Sequence, residues 1–187
     1  MRVVAYFASS FLLIVIAFAV FRVVVRRDYR RKGRLTLASS IIQVLVWGLY
    51  MSFPYIYNPP GWVRFFSPDV PVGALVRVAG LICIAVGLVS AFGTMIWFGL
   101  RRAIGLQVDE LLRRGPYRIS RNPQLAGGSF LVIGTVLLWP SWYALGWAVL
   151  YGVVGHLMVM TEEEHLREVY SEEYERYCGQ VPRYIGF

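Results

Sequence analysis

Two polar clusters hold the side chains of this chain that could do chemistry. One is the segment 115–124, Gly-Pro-Tyr-Arg-Ile-Ser-Arg-Asn-Pro-Gln, and the other is the run Glu162, Glu163 and Glu164. Long apolar stretches flank both clusters. Arginines and carboxylates at the ends of apolar stretches are costly at a membrane surface unless they pair or bind a ligand. We therefore expect the working site to lie where these two clusters meet.

Membrane helices are the elements expected to position the clusters. Hydrophobic residues make up 57% of the 187 residues and fall in long runs, which is typical of an integral membrane protein. The sequence predicts an all-α polytopic fold with about five transmembrane segments, the last two forming a hairpin, followed by an amphipathic cytoplasmic helix. The apolar runs cover residues 3–21, 35–53, 72–98, 125–139 and 141–160.

The distribution of basic residues predicts how these segments are oriented. Seven Lys and Arg residues lie between positions 22 and 34, whereas the loop 55–71 has only Arg64 and Asp69 as charged residues. By the positive-inside rule the N-terminus is then outside and the C-terminus cytoplasmic, and we expect a multi-pass protein of a prokaryotic inner membrane. The net charge of +8 follows from this pattern and favours contact with anionic lipids. Nucleic acid binding is not expected, because the basic residues lie against membrane ends.

The chain is expected to form a single membrane domain, 1–187, with a three-helix anchor over 1–100 and a catalytic connector, hairpin and tail over 101–187. The turn between the last two apolar segments is about 20 residues, or roughly 30 Å of helix, from both Asn122 and Glu162. An antiparallel hairpin would therefore bring these two residues together. Small residues let membrane helices approach closely, so the following glycines are predicted to join the last two segments: Gly127, Gly128, Gly134, Gly146, Gly152 and Gly155.

Turn and capping signals predict where the polar elements begin and end. Residues 107–114 are predicted to form a short helix that the Gly-Pro pair at 115–116 ends. Segment four is predicted to begin near Pro123, because proline suits the first turn of a helix. Thr161 and Glu164 fit a capping box, so the tail helix is predicted to begin there and to fold back onto the membrane surface or over the connector.

Four polar motifs follow one another in the second half of the chain. They are Gly-Pro-Tyr-Arg-x-x-Arg-Asn-Pro-Gln-x-x-Gly over 115–127, Glu162-Glu163-x-x-Leu166, Glu173-Tyr174-x-x-Tyr177 and Val181-Pro182-Arg183. These motifs resemble those of the integral-membrane methyltransferases, which include isoprenylcysteine carboxyl methyltransferase and the phospholipid N-methyltransferases. The resemblance implies S-adenosylmethionine as methyl donor, bound at the cytoplasmic face, and a lipophilic acceptor that enters from the lipid. The acceptor group is left open as a lipid amine, a carboxylate or a thiol.

The resemblance also assigns residues to the donor site. Carboxylates such as those of Glu162 and Glu163 match a sulfonium cation and ribose hydroxyls, and Arg118 or Arg121 would suit the carboxylate of the donor. Methyl transfer is an in-line displacement in which alignment and exclusion of water contribute more than acid or base chemistry. Candidate catalytic residues are Glu163 and Arg183, and candidate cofactor-binding residues are Tyr117, Arg118, Arg121, Asn122, Gly127, Glu162 and Glu163.

Four residues at three sites depart from the family pattern. Asn122 stands where the family commonly has histidine, Leu125 where it has tyrosine, and Tyr170-Ser171 replaces the usual Phe-Gly. The asparagine side chain can donate and accept hydrogen bonds, but it cannot serve as a titrating base. The changes at Asn122 and Leu125 keep a non-catalytic membrane subunit open as an alternative. A nicotinamide-dependent membrane reductase also stays open, because the C-terminal region resembles that of the sterol reductases as well.

Histidine and cysteine give no sign of a metal site. His156 lies within an apolar run, where an ionisable residue is either functional or, more commonly, hydrogen-bonded across a helix pair. No second histidine or cysteine lies at ligand spacing, so no metal site is predicted. The oligomeric state is left open.

Overall fold

The structure, a computed structural model, describes residues 1–57, 70–99, 102, 104–106 and 111–186. Within these ranges every regular element is a helix, which confirms the predicted all-α class. The elements are α1 (Arg2–Phe18), a π-helical stretch (Ala19–Val25), α2 (Arg26–Lys32), α3 (Leu37–Tyr57), α4 (Ala74–Phe98), a 3₁₀ helix (Gly115–Arg118), α5 (Pro123–Leu138) and α6 (Trp142–Gln180).

The helices are long and apolar enough for a membrane protein. Four helical runs in the described ranges could cross a bilayer, namely Arg2–Lys32, α3, α4 and the apolar part of α6. The shorter α5, with 16 residues, is apolar as well. These elements agree with the prediction of about five transmembrane segments.

The basic stretch after the first apolar run is helical, not a loop. The first helix continues through the π-helical stretch and α2 and ends at Gly33, whose φ of 65° lies in the left-handed region that favours glycine. The buried Asp28 carboxylate accepts hydrogen bonds from the Thr36 backbone N–H at 3.0 Å and the Ser39 hydroxyl at 2.6 Å. These bonds hold the turn that reverses the chain into α3. At its other end α3 extends to Tyr57, so it includes the first residues of the predicted loop 55–71. Residues 58–69 of that loop lie outside the described residues.

Glycines join α5 mainly to α4, which corrects part of the prediction that they join the last two segments. A Cβ on Gly127 would lie 2.6 Å from the Ala91 backbone nitrogen of α4, and one on Gly134 would lie 2.6 Å from the Gly80 carbonyl oxygen. Both helices thus pack backbone against backbone, as small residues allow. Of the remaining glycines, Gly128 and Gly155 do lie between α5 and α6, against Tyr151 and Leu125. Gly146 faces Tyr6 of α1, and a Cβ on Gly152 would contact nothing within 4 Å.

The tail helix does not begin at Thr161, so the predicted capping box is wrong. α6 runs through this position, and the Thr161 hydroxyl donates to the Leu157 carbonyl one turn earlier. Glu164 has other partners that make a cap unnecessary, because it accepts hydrogen bonds from Arg22, Arg26 and Arg30 of the first helical run. Contacts with another helix therefore override the local capping signal.

The predicted end of a short helix in the connector is wrong, whereas the predicted start of segment four is confirmed. Residues 107–110 of the predicted short helix lie outside the described residues, and residues 111–114 are not helical. The Gly-Pro pair at 115–116 opens the 3₁₀ helix, with Gly115 at φ 56°, and does not end an α-helix. Segment four begins at Pro123 as predicted.

Candidate functional site

A polar cavity lies where the start of α5 meets α6, the π-helical stretch, α2 and α3. It holds about 610 Å³ of empty space, part of it open to solvent. Asn122 and Glu162 both line it, so the hairpin brings these residues together as predicted. The lining residues are Val25, Tyr29, Gln43, Arg102, Gly105, Tyr117, Arg121, Asn122, Pro123, Gln124, Leu125, Met158 and Glu162.

Glu162 is the unpaired carboxylate of this cavity. It lies just beyond the apolar part of α6, residues 142–160, and none of the described residues donates a hydrogen bond to it. Burial, assisted by the neighbouring charge of Glu163, raises the pKa of Glu162 from 4.5 to about 6. A carboxylate without partners in a cavity is expected where a ligand binds, because leaving it unsatisfied is costly.

Glu163 is buried elsewhere, in a cluster of arginines. The residue is 2% exposed, and its carboxylate accepts hydrogen bonds from Arg121 at 2.9 Å and from Arg183 at 3.0 and 2.8 Å. Arg167, with its side chain 42% exposed, lies 3.5 Å from the same carboxylate. Glu163 does not line the cavity. The two residues predicted to be catalytic, Glu163 and Arg183, therefore contact each other and hold Arg121.

Arg121 connects the arginine cluster to the cavity. One of its terminal nitrogens donates to Glu163 and lies 2.9 Å from the Cys178 sulfur. Its buried Nε has no hydrogen-bond partner among the described residues, and the same holds for the buried Nε2 of Gln124. Both residues line the cavity. Two residues that line the cavity together with Glu162 thus have a side-chain donor without a partner among the described residues.

The C-terminal segment holds the connector in place. The Arg121 backbone N–H donates to the Pro182 carbonyl at 2.9 Å, and the Asn122 side-chain amide donates to the Arg183 carbonyl at 3.1 Å. The Tyr177 hydroxyl donates to the Tyr117 carbonyl at 2.7 Å. The tail therefore packs over the connector, one of the two placements expected, and the Asn122 side chain ties the connector to it.

Some predicted residues lie away from the cavity. Arg118 is exposed and does not line it, and Gly127 faces α4. Their assignment to donor binding stays a prediction. His156 shares a hydrogen bond of 3.2 Å with the Tyr184 hydroxyl of the C-terminal segment. The described residues contain no group of three or more His, Cys, Asp or Glu side chains that could hold a metal ion.

Residues of the π-helical stretch, α2 and α3 also line the cavity, and the sequence interpretation missed them. Tyr29 of α2 stacks on His165 of α6 with ring centroids 4.3 Å apart. Gln43 of α3 reaches the cavity from within an apolar helix, and Val25 belongs to the π-helical stretch, a form often found at functional sites. A glutamine inside an otherwise apolar run was a signal that could have identified Gln43.

A second cavity lies on the other side of the start of α5 and shares Pro123 with the first. This groove has about 810 Å³ of empty space, part of it open. We call it the α4–α5 groove. It is lined by Val89, Ser90, Gly93, Thr94, Gly115, Pro116, Ile119, Ser120, Pro123, Ala126, Gly127, Phe130 and Ile185.

Comparison with known proteins bears on the region that contains both cavities. The family model of the phospholipid methyltransferases matches residues 75–173, which is more than half of the 187 residues. The match includes α4, the connector, α5 and α6 as far as the break at Ser171, where φ is 42°. No curated protein and no solved structure matched the chain. On the family match, the chain belongs to the phospholipid methyltransferase family, whose members are membrane methyltransferases.

Proposed function

We propose that this protein transfers a methyl group from S-adenosylmethionine to a lipophilic acceptor at the cytoplasmic face of the membrane. The observation that carries the proposal is the unpaired Glu162 carboxylate, which shares its cavity with the unpaired donors of Arg121 and Gln124. These groups suit a small ligand that has a positive centre, a carboxylate and several hydrogen-bonding edges. S-adenosylmethionine has all three.

The charges of the cavity suggest how the donor is held. Glu162 is placed to attract the sulfonium or to accept from a ribose hydroxyl, and the Arg121 Nε to donate to the ligand carboxylate. The Asn122 side chain does not cap α5, so the N–H groups of the first turn offer a further site for an anion. Glu163 and Arg183, which contact each other outside the cavity, act as positioning residues that hold Arg121 in this account.

Such a donor would supply a methyl group. The bond from the methyl carbon to sulfur would break as a lone pair of the acceptor forms a bond to the same carbon. The chain contributes alignment and the exclusion of water. Asn122 cannot take a proton, so a base at that position forms no part of this proposal. The acceptor group, whether amine, carboxylate or thiol, must approach the cavity from the lipid.

The basic residues support the cytoplasmic placement. Arg22, Arg26 and Arg30 pair with Glu164, which is two residues from Glu162. The basic stretch of the first helical run therefore lies at the same end of the helices as the cavity. By the positive-inside rule that end faces the cytoplasm.

Thermal unfolding of the detergent-solubilised full chain tests the cofactor. S-adenosylhomocysteine should raise the stability by about 2.7 kcal/mol at a hundredfold excess over its Kd, whereas NADPH should have no effect. Stabilisation by NADPH alone would support a membrane reductase instead. Stabilisation by neither compound would favour a non-catalytic subunit.

A further inference from the structure

The α4–α5 groove presents a largely apolar surface, and two of the three hydroxyl groups that line it already have partners. Val89, Ile119 and Phe130 line it, together with small residues. The Thr94 hydroxyl donates to the Ser90 carbonyl at 2.6 Å, and the Ser120 hydroxyl donates to the Arg183 carbonyl at 3.1 Å. An occupant that offers hydrogen bonds would gain little here, whereas an apolar occupant would bury hydrocarbon surface.

The groove opens on the most lipid-facing helix of the described chain. In the 18-residue apolar stretch of α4 only 11% is buried, which is the smallest buried share among the four helices that could cross a membrane. Val89, Phe92 and Ile96 of α4 are 74%, 55% and 82% exposed. Large apolar side chains exposed over a membrane span lie against lipid, so lipid chains are the molecules that surround this opening.

Gly93 has no packing role that explains it. On the same helix, a Cβ on Gly87 would lie 2.5 Å from the Leu131 backbone nitrogen, so close packing accounts for that glycine. A Cβ on Gly93 would contact nothing within 4 Å. Glycine within a helix costs about 0.5–1 kcal/mol relative to alanine. The absence of a side chain at Gly93 instead leaves space in the α4–α5 groove, which it lines.

The groove and the polar cavity share the wall formed by the connector. Ser120 and Pro116 line the groove, Tyr117 and Arg121 line the cavity, and Pro123 lines both. A chain in the groove would therefore keep its polar end close to the cavity. We propose that the α4–α5 groove binds the hydrocarbon chain of the lipid acceptor; that the bound lipid is the acceptor rests on the proposed function.

Photocrosslinking in bilayers tests the groove. The probe is phosphatidylethanolamine with a diazirine midway along one acyl chain, diluted into phosphatidylcholine with the full-length protein, and adducts are mapped by mass spectrometry. The Gly93→Leu variant fills the groove without a clash, since its Cβ has open space. Gly48→Leu on α3 and Gly152→Leu on α6 are matched controls, because both are exposed glycines with nothing within 4 Å and neither lines the groove.

In the wild type we expect adducts concentrated on residues of the groove such as Ile119 and Phe130. Gly93→Leu should lower them about tenfold, because a leucine side chain displaces the contact area of a few methylene groups, and the controls should not. Uniform labelling along the outer face of α4, or groove labelling that Gly93→Leu leaves unchanged, would overturn the proposal.

Calorimetry with S-adenosylhomocysteine separates this proposal from the proposed function. The groove variant should bind the compound as the wild type does, because Gly93 does not line the polar cavity. Groove labelling without binding of the compound would retain the lipid site and reject the donor. Binding of the compound without groove labelling would retain the donor and reject the lipid site.

Discussion

Replacing Glu162 with glutamine separates the charge of this residue from its shape. In the free protein, burial and the neighbouring Glu163 raise the pKa of Glu162 from 4.5 to about 6. Each tenfold change in acidity is worth about 1.4 kcal/mol, so ionising this carboxyl in the folded protein costs at most about 2 kcal/mol. The glutamine of Glu162→Gln has nearly the same volume and bears no charge. The variant should therefore be more stable than the wild type at neutral pH and bind a cationic ligand less well.

The sign of the pH dependence follows from the raised pKa. Below about pH 4.5 the carboxyl is protonated in both the folded and the unfolded protein, so the wild type loses no stability through ionisation of Glu162. As the pH rises to about 6 and beyond, the unfolded protein ionises freely while the folded protein resists ionisation. The wild type should thus lose up to about 2 kcal/mol relative to Glu162→Gln across this range, and no further difference should develop above it.

Binding measurements complete this test. S-adenosylmethionine has a sulfonium charge that S-adenosylhomocysteine lacks. Removing a charge-assisted contact costs about 1.5–3 kcal/mol, so Glu162→Gln should weaken S-adenosylmethionine by about tenfold or more at pH 7.5 and the homocysteine compound much less. Wild-type affinity for S-adenosylmethionine should also fall as the pH drops below about 6. Equal weakening of both ligands would refute a contact between Glu162 and the sulfonium and leave the ribose hydroxyls as its partner. Profiles of unfolding against pH that coincide for the two proteins would refute the assignment of an unpaired carboxylate to Glu162.

Three further substitutions follow from the packing. Ser171→Gly should raise the free energy of unfolding by about 1 kcal/mol in thermal melts, because its φ of 42° and ψ of −118° suit glycine; an unchanged melting temperature would contradict the strained backbone. Glu163→Ala should lower stability by about 3 kcal/mol, since it leaves the buried Arg121 uncompensated, and a melt like that of the wild type would show that the cluster is not formed. Gly87→Ala should lower the free energy of unfolding by about 1–3 kcal/mol, because the new Cβ would clash with the backbone of α5. The control Gly48→Ala should raise it slightly, since alanine favours a helix and has open space there. Equal effects of the two substitutions in thermal melts would argue against the close α4–α5 contact.

Local signals in the sequence predicted several elements well. The start of α5 at Pro123 agrees with the structure because proline and the residue before it restrict the backbone wherever they occur. The membrane class followed from apolar runs whose length is a property of the chain alone. The hairpin geometry that brings Asn122 near Glu162 needed only helix rise and the position of a turn.

Signals that depend on distant partners were less informative. The capping box at Thr161 is a local pattern, but Glu164 binds three arginines of the first helical run and the helix continues through it. The glycines of α5 predicted close helix packing correctly and the partner only in part, because two of them face α4. A small residue indicates that some backbone comes close, and the arrangement of the other helices decides which one.

The adjacent residues Glu162 and Glu163 show the limit most clearly. The sequence alone determined that paired carboxylates follow an apolar helix and lie opposite an arginine-rich connector. Successive residues of an α-helix point about 100° apart, so two neighbours in the chain can face different surroundings. Only the tertiary structure decided that Glu163 is enclosed by Arg121 and Arg183 while Glu162 faces the cavity without a partner. The reason is that the walls around them come from parts distant in the chain, namely the tail, the connector, the π-helical stretch, α2 and α3.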